Sequence, residues 1–268
     1  MSRRWCIPLT TLALVVGSML AAGTASATVL APRPSAAHVT PGGLMTRPAG
    51  PAAGSQQAHL NQDESTNWSG YAVTGANGAF HAVSASWVEP TGTCTSRRSD
   101  QYSSFWVGLD GFNSDSVEQT GSEVDCDGTT PEYYSWYEMY PAYPVNYTNT
   151  VRPGDHFSAS VTFTGTDTYT LVLTDSTQGW THTTVKNQSG LDRSSAEVIT
   201  EAPSSGSGVL PLADFGTVSY STASANGTSL ATQDPTEIVM IDNSGLQKDS
   251  TSVIGSGGAF SNTWIRSS

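Results

Sequence analysis

The chain has 268 residues, 23 of them acidic and 11 basic, for a formal charge of −12 at pH 7. A surface of that sign repels nucleic acid and anionic membranes, so neither is expected as a partner. In acid most of the carboxyls are neutral and few cations remain to repel one another, which suits a protein working at low pH.

Arg3 and Arg4 precede an apolar run from Cys6 to Ala22, and Ala25-Ser26-Ala27 follows as a small-residue cleavage pattern, so residues 1–27 read as a secretory signal. The run is shorter than the ~20 residues that a membrane span needs. Residues 28–62 are rich in Ala, Pro, Gly and Ser and hold no acidic side chain, a composition unable to bury enough apolar surface to order itself. They are expected to be a disordered propeptide or linker. Loss of residues 1–62 removes four arginines and no carboxylate, leaving seven basic residues against 23 acidic ones. Cys6 goes with the leader, and the remaining pair, Cys94 and Cys126, is expected to form one disulfide in an oxidising compartment.

From Trp68 onward no helical stripe occurs. Short runs rich in Val, Thr, Tyr, Phe and Trp, among them GYAVTG, AVSASWVEP, SSFWVGLDG, HFSASVTFTG, TYTLVLTDS and GTVSYSTAS, are broken by Gly, Pro, Asn and Asp. Their number and spacing predict a single all-β domain over residues 63–268, a sandwich or a barrel. The polar segment Glu118-Gln119-Thr120-Gly121 falls between these runs and reads as part of a loop that the disulfide closes. In YYSWYEMY, residues 133–140, alternation places Tyr134, Trp136, Glu138 and Tyr140 on one face. That face fits either a cleft wall or a packed core with a carboxylate at its edge.

Several chemistries lack their residues. There is no Gly-x-Ser-x-Gly elbow, no His-Glu-x-x-His pair, no phosphate-cradling Gly-rich loop with Lys, and no Asp-Thr-Gly or Asp-Ser-Gly segment. His81, His156 and His182 are scattered among polar neighbours and read as exposed strand residues. What remains is carboxylates, amides and aromatics. In acid, a histidine with a pKa near ~6.5 is protonated and useless as a base, whereas a glutamate near ~4.3 is still partly ionised. Direct attack of water on an amide also needs a fixed donor for the developing oxyanion. A glutamine amide supplies one at any pH.

The segments NWSGYAV (67–73), SSFWVGLDG (103–111), EQTG (118–121), YYSWYEMYP (133–141), AEVITEAP (196–203) and LADFGTVSY (212–220) resemble, in order and spacing, the glutamic peptidases or eqolisins. The resemblance covers nearly all of the chain from Asn67 on. It implies a secreted, acid-acting endopeptidase made as a zymogen and folded as an antiparallel β-sandwich of two packed sheets, a concanavalin-like jelly roll. It also implies polypeptide substrates, a monomer, and no metal or cofactor. Gln119 falls at the family's catalytic glutamine, in its Gln-Thr-Gly motif, and Glu201 at the catalytic glutamate that ends its Ala-Glu-Trp-Ile-x-Glu motif. Trp68, Trp106 and Asp110 match positions lining the family's site. Glu138, as a supporting carboxyl, and Glu123, as a cleft carboxyl, are further candidates. Glu197, four residues before Glu201 and on the same strand face, is the rival base.

The departures are Val198 in place of the family's Trp, Ala202-Pro203 in place of an acidic residue and an aromatic, and one extra residue between Gln119 and Cys126. Two readings outside the family use the same residues. One is a β-sandwich glycoside hydrolase with paired carboxylates beside the Tyr134–Tyr140 face. The other is a non-catalytic carbohydrate-binding module, for which residues 28–62 are only a linker.

Overall fold

The computed structural model describes residues 43–48, 61–97 and 99–268. The expected signal, residues 1–27, and most of the expected propeptide lie outside the described residues. The strands begin with β1 (Gln62–Ser65), β2 (Trp68–Thr74), β3 (Ala82–Val88), β4 (Gln101–Leu109), β5 (Val117–Asp127) and β6 (Thr130–Tyr140). Next come β7 (Val145–Asn146), β8 (His156–Gly165), β9 (Thr168–Asp175), β10 (Trp180–Asn187), β11 (Ser195–Glu201) and β12 (Ser204–Ser205). The last are β13 (Gly208–Val209), β14 (Thr217–Ala225), β15 (Thr228–Ser229), β16 (Thr236–Met240), β17 (Asp249–Thr251) and β18 (Phe260–Trp264). Among the described residues the helical content is one 3-10 turn, Leu230–Thr232.

Two eight-stranded sheets form a sandwich, which settles the choice that strand spacing left between sandwich and barrel in favour of the fold that the resemblance implies. The first runs β1-β16-β2-β11-β4-β5-β6-β7, and the second β10-β9-β8-β3-β14-β18-β17 with β15 beside β14. Neighbours are antiparallel, apart from the parallel edge pair β1 and β16. Alternation makes the core: in β9 every second residue of TYTLVLTD is buried, so Tyr169, Leu171 and Leu173 point inward and the threonines outward. Facing them from the first sheet are Phe105, Val107 and Leu109 of β4, with Val198 of β11. Val198, a departure from the Trp of the family that the sequence resembles, is thus an inter-sheet residue with no exposure. Each such large side chain contributes roughly 1.5–3 kcal/mol by leaving water. The edge strand β10 is half-exposed along its whole length and carries three threonines and Lys186, a composition that discourages edge-to-edge pairing.

An antiparallel sheet usually leaves one face wet. Here β11 is buried at every position, and β4 and β5 at nearly every one. A second apolar cluster explains it: Trp68, Ala72, Trp106, Phe112, Val117, Trp136, Ile199 and Ile238 cover the outer face of the first sheet, joined by Met45.

Two expectations need correction against this frame. Gln119 is not in a loop but in the third residue of an eleven-residue strand. VEQTGSEVDCD escapes the β-branched and aromatic signal because its outward positions, Gln119, Gly121 and Glu123, belong to a polar site rather than to a core. Residues 43–48, expected to be disordered from their composition, lie packed on the domain. Thr66 N donates to Thr46 O at 2.7 Å and Thr46 N to the Asn67 Oδ1 at 2.7 Å. Backbone hydrogen bonds and the burial of Met45 in the outer cluster order the segment. The disulfide forms as expected, Cys94 to Cys126 with Cα atoms 5.4 Å apart, and ties the approach to β4 to the end of β5.

Candidate active site

The registers of β11, β4, β5 and β6 lay the outward side chains in three rows. Glu201, Ser104, Glu123 and Tyr134 form one; Ile199, Trp106, Gly121 and Trp136 the next; Glu197, Gly108, Gln119 and Glu138 the third. Gln119 and Glu201 therefore stand in different rows, and Trp106 bridges the row between them. Its indole Nε1 donates to Glu201 Oε2 at 2.9 Å. The ring can lie there because its neighbours are glycines. A Cβ on Gly121 would stand 2.2 Å from Phe105 O and 2.6 Å from Trp106 Cβ, and one on Gly108 would be 2.8 Å from the Trp106 ring. The glycine of Gln-Thr-Gly thus serves the tryptophan across the ladder.

Glu201 has a second donor, Asn67 Nδ2 at 3.3 Å from Oε1. Trp68 packs edge-on against Trp106, ring centroids 4.9 Å apart. Gln119 is held from the other side, its Nε2 donating to Glu138 Oε2 at 2.9 Å. Glu138 is fully buried, and burial pushes its carboxyl up to about 10; the charge of Glu201 adds to the rise and the Gln119 hydrogen bond opposes it. Burial raises Glu123 in the same way, with the charge of Glu201 again adding. Glu138 and Glu123 thus keep their protons through the acidic range. They lie close enough to Glu201 to sense its charge.

The other candidates fall further out. Asp110 is buried with φ at 69°, and its carboxylate accepts from the backbone N of Arg193 at 2.6 Å and of Ser194 at 2.8 Å. It pins the turn that launches β11. Glu197 points to the same face as Glu201 but about 13 Å along the strand, and its side chain has no exposure. Burial raises it well above the carboxylate range, with the charge of Asp110 adding and Ser195 opposing. His81 and His156 are exposed, and His182 stacks on Tyr147 with centroids 4.0 Å apart, in a separate part of the fold. Asn67 was not foreseen; its only signal was its place ahead of Trp68 in NWSG.

The sequence model of the Peptidase A4 family matches residues 66–263. The chain belongs to the peptidase A4 family. Aspergillopepsin-2 of Aspergillus niger is 29% identical over 219 residues, 73% of this chain and 77% of that protein. Scytalido-glutamic peptidase, solved with a peptide-based transition-state analog, superposes with a TM-score of 0.63 at 27% identity over 75% of this chain and 98% of its own. Aspergilloglutamic peptidase of A. niger gives a TM-score of 0.55 at 27% identity over 62% of this chain and 99% of its own. As a member of peptidase A4 the protein is a glutamic endopeptidase, a hydrolase acting on peptide bonds. That assignment displaces the two carbohydrate-directed readings.

Proposed function

We propose that this peptidase is a secreted, acid-acting enzyme in which Glu201 is the base and Gln119 the oxyanion donor. The observation that carries the proposal is the pair of supports: Trp106 and Asn67 on Glu201, and Glu138 on Gln119. In the first step Glu201 takes a proton from water as its oxygen attacks the scissile carbonyl carbon. The carbonyl oxygen gains the negative charge. Gln119 Nε2 has two hydrogens; Glu138 accepts one, and the oxyanion accepts the other as it forms. In the second step protonated Glu201 gives its proton to the leaving nitrogen, the C–N bond breaks, and a free acid and amine depart. Glu138 holds its proton, so it fixes the amide without adding a second negative charge beside the oxyanion.

Trp68 and Trp106 wall the cleft, Glu123 is a neutral carboxyl lining it, and Asp110 positions β11. The solved relative with a peptide-based analog supports a polypeptide substrate. Acid action is supported by the neutral buried carboxyls, whose ionisation the fold opposes. The signal-like residues 1–27 support secretion, and no helix among the described residues is long and apolar enough to cross a membrane.

The test is proteolysis of a denatured protein from about pH 2 to 7 by wild-type, Gln119→Ala and Glu201→Gln chains. Gln119→Ala should fold normally and lose roughly 10² to 10³ in kcat, as removal of an oxyanion donor does elsewhere. Full activity of purified, folded Glu201→Gln would remove Glu201 as the base.

A further inference from the structure

Residues 43–46 lie against the site, and their hydrogen bonds to the rest of the chain run through the backbone. Gly43 O accepts from Trp68 Nε1 at 3.1 Å, and Leu44 O from Asn67 Nδ2 at 3.0 Å. Met45 N donates to Gly111 O at 3.3 Å. Thr46 N donates to Asn67 Oδ1, and Thr46 O accepts from Thr66 N, each at 2.7 Å. A seat that reads main-chain groups tolerates many sequences and leaves preference to side-chain pockets. One pocket is filled: Met45 is 8% exposed and joins the cluster that contains Trp68, Trp106 and Phe112. Thr46 and Arg47 are exposed.

Asn67 is the pivot of this seat. Its amide brackets Met45, taking the carbonyl of the residue before and the N–H of the residue after, and the same Nδ2 reaches Glu201 Oε1. A peptide held by Asn67 therefore lies one side chain away from the glutamate.

We infer that residues 43–46 occupy a substrate subsite, in which Asn67 binds the backbone of an extended peptide and the pocket beside Trp68 and Phe112 takes one long apolar side chain. The inference rests on the peptidase reading for the identity of the substrate. The chain's own segment is then a competitor held in place, at an effective concentration on the order of mM for a short tether. Occupancy lowers the competent fraction of the enzyme and raises the apparent KM in proportion, leaving kcat alone.

The test uses the full chain and a capped synthetic peptide of residues 42–48, GGLMTRP. In a Glu201→Gln background, which prevents self-cleavage, Met45→Asp should expel the segment. The peptide should then bind at least tenfold more tightly than to the chain that keeps Met45. Adding Asn67→Ala should weaken binding tenfold or more. Asn67→Asp should retain binding at pH 3, where a protonated carboxyl still donates, and lose it above about pH 5. With Glu201 restored, the peptide should raise the KM of the Met45→Asp chain for a peptide substrate without changing kcat. Equal binding to both chains, or a fall in kcat at constant KM, would overturn the inference. Absence of hydrolysis by every chain would count against the peptidase reading, and the binding arm would still decide the subsite.

Discussion

Glu89 offers a test of how the fold depends on protons. It lies in the inter-sheet interior at 1% exposure, its Oε2 accepts from Ser122 Oγ, and its Oε1 has no partner among the described residues. Burial pushes its pKa to about 8; the Ser122 and Trp87 donors pull against that rise, and the nearby charges of Asp155 and Asp175 add to it. The sign follows from linkage. Below the unfolded pKa, near 4.5, both states hold the proton and the contribution is fully present. Between there and about 8 the unfolded chain loses the proton while the folded one keeps it, so stability falls as pH rises. At about 1.4 kcal/mol per pH unit, this carboxyl removes about 3 kcal/mol between pH 5 and pH 7. Glu89→Gln keeps the shape and cannot ionise. Urea unfolding followed by tryptophan fluorescence, in a Glu201→Gln background, should show similar stabilities at pH 4 for chains with and without Glu89→Gln. By pH 7 the chain carrying Glu89→Gln should have lost about 3 kcal/mol less than the chain that keeps Glu89. Parallel decline of the two chains across that range would refute the reasoning. Glu118, pushed by burial to about 9, should respond to Glu118→Gln in the same direction.

Gly121→Ala should destabilise the fold by about 3 kcal/mol and abolish turnover, since its Cβ meets a backbone oxygen and Trp106 cannot give way; urea midpoints and kcat/KM measure the two effects. Asp110→Ala should cost about 2–4 kcal/mol by orphaning the Arg193 and Ser194 N–H groups, with a drop in kcat as β11 loosens. Asp110→Asn, which tolerates the positive φ but keeps one acceptor oxygen where Asp110 offers two, should recover about half of both. Cys94→Ser with Cys126→Ser should lower stability by roughly 3–4 kcal/mol, the loop-closure value for the 32-residue separation, as read by unfolding with and without reductant.

The all-β class was legible because strands such as β9 alternate cleanly and face a single apolar core, and the choice of sandwich over barrel came from the motif resemblance. Gln119 and Glu201 are candidates by motif resemblance alone, and the strand that holds Gln119 was not legible. Its inward residues Glu118, Thr120 and Ser122 are as polar as its outward ones, so no alternation signals it. Burial of Glu118 and Glu89 was illegible for a related reason: composition suggests that acidic side chains sit in water, and only the packed sheets show that these hold protons in a dry interior. Asn67 and Met45 were missed because their roles arise between segments some twenty residues apart. No local pattern marks a backbone carbonyl that will meet a particular amide.

Asn67 has a consequence for how the protein is made. Asn67-Trp68-Ser69 reads Asn-x-Ser, an acceptor for N-linked sugar in a host that adds it as the chain emerges. A glycan on that nitrogen would take one of the two hydrogens now given to Leu44 O and Glu201, and would place a bulky group where the folded chain leaves no room. Removing the sequon at Ser69 is no remedy, because Ser69 Oγ donates to Asp249 and accepts from Asn262 Nδ2 in the interior. Production in a host without N-glycosylation should yield a uniform active protein, and secretion from yeast a glycosylated fraction that fails to hydrolyse peptide.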